Sequence, residues 1–193
     1  MAIAGRLLRN RRAGDANLAW NLPDLAGPET LTLTSRGFVD GGAIPREHAG
    51  RRAGGQNVSP ELSWTQVPDG CAQLLLVIED IDAPTPKPFV HCVALIDPAR
   101  AVVSQSTLQP GAVSAAEPET GVQVLRSSMG RRYLGPEPIK GHGPHRYVFQ
   151  LFALPVALTT VSTALEQAKP RAALAAASGP VLARGRLTGT YER

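Results

Sequence analysis

The chain has 193 residues, enough for one domain with a sizeable core and at most some appendages. Apolar residues make up 43%, alongside 19 glycines and 17 prolines, and no apolar run approaches the roughly 20 residues needed to cross a bilayer as a helix. The formal net charge is +4, but Arg6, Arg9, Arg11 and Arg12 account for all of it; the body beyond them is balanced, which argues against a nucleic-acid binder with a basic stripe on its fold.

The N-terminal apolar pieces, Ala2-Ile3-Ala4 and Leu7-Leu8, are too short for a secretory h-region. Cys71 and Cys92 adjoin or lie within apolar runs and read as reduced core residues. A cytoplasmic protein is the expectation.

Residues 1–29 read as an N-terminal arm ahead of a domain spanning 30–193. Leu18, Trp20 and Leu22 are expected to dock on the body or on a second subunit, the latter giving a homodimer. Pro23, Gly27 and Pro28 break regular elements there. Leu31-Thr-Leu-Thr34 alternates as a half-buried strand, and Leu62 and Trp64 alternate in the same way. Val67-Pro-Asp-Gly70 reads as a β-turn. Leu74-Leu-Leu-Val-Ile78 is continuously apolar and predicts a central strand buried on both faces, ending in Glu79, Asp80 and Asp82. Phe89–Ile96 and Tyr147–Leu154 read as two more buried strands, and Gly121–Leu125 as a short one. Thr160–Ala168 suits a helix. Pro170 suits the start of another over 172–177, before a last strand over Val181–Tyr191. Many short strands joined by Gly/Pro turns predict a mainly β fold.

Three polar clusters sit at strand ends: Asp80 with Asp82, His91, and the heptad Gly141-His142-Gly-Pro-His145-Arg146-Tyr147. Carboxylates beside imidazoles set tautomers and favour the imidazolium. Imidazolium, tyrosine hydroxyl and glycine-loop N–H groups together suit a phosphate or carboxylate. Three other readings stay open. His91, His145 and Asp80 are plausible zinc-ligand types, though HExxH and paired-cysteine spacings are lacking. The same residues could form a His/Asp-based hydrolase or metal-assisted enzyme. Each histidine alone could simply be structural. GxSxG, Walker A and GxGxxG patterns are all missing.

Five stretches in order resemble the phosphatidylethanolamine-binding protein family, with its bacterial Raf-kinase-inhibitor-like branch nearest. They are Gln56–Trp64, Glu79–Pro84, Phe89–His91, Gly141–Phe149 and Gly189–Tyr191. The resemblance implies an antiparallel β-sandwich-like core with a few short peripheral helices. It also implies a small-anion or phosphorylated-headgroup pocket, no cofactor and no catalysis, and a kinase or protease as a possible protein partner. Asp80, His91, His145 and Tyr147 would line the pocket, and Asp82 and Pro84 would shape its first wall. An X–Pro bond near Pro84 could be cis. Arg146, one step off the His145/Tyr147 alternation, should turn away and pair with Asp82 or another acid, leaving His142 to brace the loop. Glu137, where the family favours a small residue, would repel phosphate if it faced inward.

Overall fold

A computed structural model describes residues 2–99, 106–118, 120–158, 168–177 and 179–193. The frame is a five-stranded antiparallel sheet. Its strands are β3 (Gln73–Asp80), β4 (Phe89–Ile96), β6 (Val122–Val124), β9 (His145–Leu154) and β10 (Ala183–Tyr191), in the order β10-β9-β3-β4-β6. A second sheet joins β1 (Leu33–Thr34), β2 (Leu62–Trp64) and β5 (Thr107–Leu108), and a small hairpin pairs β7 (Arg126–Ser127) with β8 (Gly130–Arg131). The helices are short: α1 (Ala2–Leu8) and α2 (Pro170–Leu174). This is the mainly β core that the pattern of apolar runs predicts, with the few short peripheral helices that the resemblance implies. The helix expected over 160–168 falls almost wholly outside the described residues.

Strand periodicity divides the core in two. From β3, Leu74, Leu76 and Ile78 pack with Phe149 and Leu151 of β9 and with Leu33, Leu62, Trp64 and Leu108 of the small sheet. Leu75 and Val77 point the other way, to Val148, Phe152 and Leu154. The first face is therefore covered by a sheet, as in a sandwich. The second is covered by the N-terminal arm and α2, through Leu18, Trp20, Leu25 and Leu174. Burial on both faces is why β3 carries no polar residue between Leu74 and Ile78.

The arm thus docks on its own chain. The Trp20 ring lies 5.9 Å from that of Phe152, and the Arg184 guanidinium sits 4.0 Å above it. Each of the large apolar side chains so buried contributes roughly 1.5–3 kcal/mol. Trp20, the residue that suggested a dimer contact, is covered within the protomer. Two 3-10 turns, Ala19–Asn21 and Pro23–Leu25, carry these residues across the sheet where Pro23 forbids a longer helix. All described peptide bonds are trans, so the cis bond expected near Pro84 is not found. Both cysteines are free; Cys92 is fully buried, and that burial pushes its thiol up to about 12.

Candidate functional site

Asp80 closes β3 opposite Tyr147 near the start of β9. Strand alternation sends Asp80, His145 and Tyr147 to the first face, together with Ile78 and Phe149. His91 arrives there by another route. The β3–β4 register pairs Ile78 with Cys92 but Glu79 with Val90, so His91 is the extra residue of a β-bulge. The bulge turns His91 out of strict alternation and sets its ring 5.1 Å from that of Tyr147, nearly perpendicular. All four residues are buried.

His145 is held at both nitrogens. Nδ1 lies 2.7 Å from Asp80 Oδ2, and Nε2 lies 2.7 Å from His142 Nδ1. His142 in turn donates from Nε2 to the carbonyls of Leu8, at 2.8 Å, and Arg11, at 3.2 Å. The links from Asp80 through both rings to the arm need three protons, one more than two neutral imidazoles carry. Asp80 Oδ1 accepts from the Asp82 N–H at 2.8 Å, so neither Asp80 oxygen is unpartnered.

Two groups are less occupied. His91 donates from Nδ1 to the Leu134 carbonyl at 2.6 Å, and no hydrogen bond engages its Nε2 among the described residues. Burial lowers its pKa, against the opposing pull of Asp80, so a neutral ring with a lone pair at Nε2 is favoured. Tyr147 Oη is buried and has no hydrogen-bond partner among the described residues. Burial, with Asp80 nearby, raises its pKa far beyond the ordinary phenol value, so it remains a donor. A buried hydroxyl without a partner is rare and calls for an explanation.

A family profile described as phosphatidylethanolamine-binding protein matches residues 34–192, which contain every residue of this cluster. The chain belongs to the phosphatidylethanolamine-binding protein family. A UPF0098 protein of Mycobacterium tuberculosis is 34% identical over 180 residues, covering 92% of this chain and 78% of its own. A UPF0098 protein of Aquifex aeolicus is 30% identical over 170 residues, covering 87% and 92%. Among solved structures, Escherichia coli YbcL, described as a new member of the mammalian family, has a TM-score of 0.70 at 26% identity, covering 84% of this chain and 98% of its own.

Within this family fold the two acids after β3 part company. Asp82 is sealed by arginines: Arg146 grips it through Nε at 2.8 Å and Nη2 at 2.9 Å, and Arg12 Nη1 lies 2.8 Å away. The Arg146 backbone N–H adds a fourth bond at 2.8 Å. These bonds outweigh the burial penalty and hold the Asp82 carboxyl down to about 2. Arg146 faces away from His145 and Tyr147, as the alternation predicts. Pro84 lines a recess together with Asn10, Arg11 and Arg12. Glu137 accepts from the Arg52 N–H at 2.8 Å, and its charge nonetheless reaches His91.

His142 braces the loop, as expected, but it also forms the middle link of the buried cluster. The arm's part was not visible in the sequence. Gly5 lies against the Lys140–His142 backbone, where a Cβ would collide with the Lys140 carbonyl. The Ala13 and Gly14 N–H groups bond to the carbonyls of Ala83 and Ile81. Glu79, one residue before Asp80, faces the opposite side, fully buried, and takes the Ala19 N–H at 2.7 Å and Gln150 Nε2 at 2.9 Å while meeting Arg171. Among the described residues, no group of three histidine, cysteine or acidic side chains is arranged to hold a metal ion, and no helix is long and apolar enough to cross a membrane.

Proposed function

We propose that this protein is a binding protein that holds a small anion or a phosphorylated headgroup between Tyr147, His91 and His145. The observation that carries the reading is the buried Tyr147 hydroxyl, which lacks a partner among the described residues and whose ring packs near those of His91 and His145. An anionic oxygen there would accept from Tyr147 Oη and from a protonated His91 Nε2. Asp80 positions His145, and Asp82 and Pro84 shape the adjoining wall. Family membership supports a binding role. The heptad Gly141–Tyr147 supports the bacterial Raf-kinase-inhibitor-like branch, and with it a regulatory role through a kinase or protease partner. A non-enzymatic reading fits the fact that both oxygens of Asp80 and both nitrogens of His145 are already committed to each other and to neighbours.

Titration with phosphoethanolamine, phosphate and acetate, following the His91 and His145 ring signals by NMR, tests this directly. Both histidines are expected to shift, with affinity rising as pH falls because His91 must gain a proton to donate to the anion. Unmoved signals at millimolar concentrations of all three ligands would remove the proposal. A second reading rests on the open Nε2 of a neutral His91, which is a competent general base. It predicts phosphoester or ester hydrolysis lost in His91→Gln, and an inactive wild-type protein across such a screen eliminates it.

A further inference from the structure

A second site lies away from the histidines. A cleft of about 690 Å³ is lined by residues of the 3-10 turn Arg51–Ala53 and of the segment that leaves the β7–β8 hairpin, together with Asn57 and Ser114. Arg51, Arg131 and Arg132 line it, and none of its described lining residues is acidic. Since the chain beyond residue 12 has balanced charge, this gathering of cations is a local feature and not a reflection of overall basicity. Arg51 and Arg132 are exposed, and no ion pair engages either among the described residues.

The backbone here is held in an uncommon form. Arg132 has φ +82°, a left-handed conformation that costs strain in a residue with a Cβ. Asn57, at φ +60°, clamps the same wall: its Nδ2 donates to the Tyr133 carbonyl at 3.1 Å, and its Oδ1 accepts from the Gly135 N–H at 2.8 Å. Tyr133 is fixed from behind, its hydroxyl donating to the His48 carbonyl at 3.0 Å. Arg132 therefore lines the cleft from a braced segment, and Arg51 lines it from the 3-10 turn. Two guanidinium groups in one cleft favour a ligand with more than one anionic group. The volume lies in the range of small-molecule sites, roughly 300–1,000 Å³.

We infer that the cleft between Arg51 and Arg132 is a second binding site, specific for a small polyanion carrying at least two phosphate or carboxylate groups. It is separate from the Tyr147 site and does not depend on it.

Inorganic tripolyphosphate, pyrophosphate and monophosphate serve as probes on the full chain, read by calorimetry and by backbone amide shifts. Affinity is expected to fall in that order, with the largest shifts at Asn57 and Arg132. The double variant Arg51→Gln/Arg132→Asn, in which Asn suits the left-handed backbone, is expected to bind tripolyphosphate at least tenfold more weakly. Arg36→Gln, which removes one charge elsewhere, is expected to bind as the parent does. If the double variant misfolds, Arg51→Gln alone carries the test, with a loss of about threefold or more expected. Parent-like binding by the tested variant, shifts confined to His91 and Tyr147, or tighter binding of a poly-glutamate peptide than of tripolyphosphate would each overturn the assignment.

Discussion

Glu79 and Asp80 are neighbours on β3, yet they leave the sheet on opposite faces and enter opposite kinds of polar cluster. Glu79 is consumed by structure: the Ala19 N–H, Gln150 and Arg171 converge on it, while Gln150 Oε1 receives the Trp20 N–H at 2.7 Å. That cluster fastens the arm to the sheet. Asp80 enters a chain of imidazoles beside a tyrosine hydroxyl that no hydrogen-bond partner satisfies among the described residues. Buried polar groups that close on one another specify a structure, and one left open beside titratable rings is poised for something from outside.

The comparison breaks most visibly at Glu79. Replacing it with Ala strands the Ala19 N–H, Gln150 and the Arg171 charge against the sheet. Loss of one partner of a buried pair costs about 3–5 kcal/mol. Urea unfolding should show a loss of this size, and a change below about 1 kcal/mol means the arm is held by apolar packing alone.

Two groups beside Asp80, His91 and Asp82, should respond differently to acid. The depressed pKa of His91 means that below about pH 6.5 the unfolded chain takes up a proton that the folded protein refuses. Stability from this group is full above that pH and declines below it, by at most about 1.4 kcal/mol per pH unit. Asp82 behaves oppositely to a neutral-pH switch. With its folded pKa near 2, its contribution is full above about pH 4 and is lost only between pH 4 and 2. Thermal melts from pH 7.5 to 5 in wild type and His91→Gln isolate the first window; identical slopes would contradict it.

Tyr147→Phe sharpens the contrast further. Deleting a buried hydroxyl without a partner should leave stability unchanged or raise it by about 1 kcal/mol. The same change should weaken phosphate or phosphoethanolamine binding about tenfold, as loss of one hydrogen bond does. A destabilised protein with unaltered binding would place the hydroxyl in the structural class with Glu79.

The smallest effect is expected at the arm's outer end. Gly5→Val cannot keep α1 against the Lys140 carbonyl. It should release α1 from His142 for about 1 kcal/mol or less, because Ile3 and Leu7 are exposed and little apolar surface is at stake. Hydrogen exchange should quicken in residues 2–9 while the Trp20 region stays protected.

Much of this was legible in the chain itself. The continuous apolar run Leu74–Ile78 and the largely apolar runs Phe89–Ile96 and Tyr147–Leu154, broken only by His91 and Gln150, mark strands buried on both faces, because a strand shows its burial in its residue order. The period of two also placed His145 and Tyr147 on one side and Arg146 on the other, and the Arg146–Asp82 pair follows. His91 is the counter-example. Alternation along β4 assigns it to the face opposite Cys92, and only the bulge against Ile78 and Glu79 brings it to Tyr147. A bulge is decided by how two strands match in register, which neither strand records alone. The same limit hid the arm. Its composition showed apolar residues and arginines. That Leu8 and Arg11 would offer their carbonyls to His142, across more than 130 residues, depends on backbone atoms common to every residue and so leaves no trace in side-chain pattern. Residue order alone marks the sheet strands and the residue types at their ends. Tertiary structure alone decided which polar groups there were consumed by the fold and which was left open.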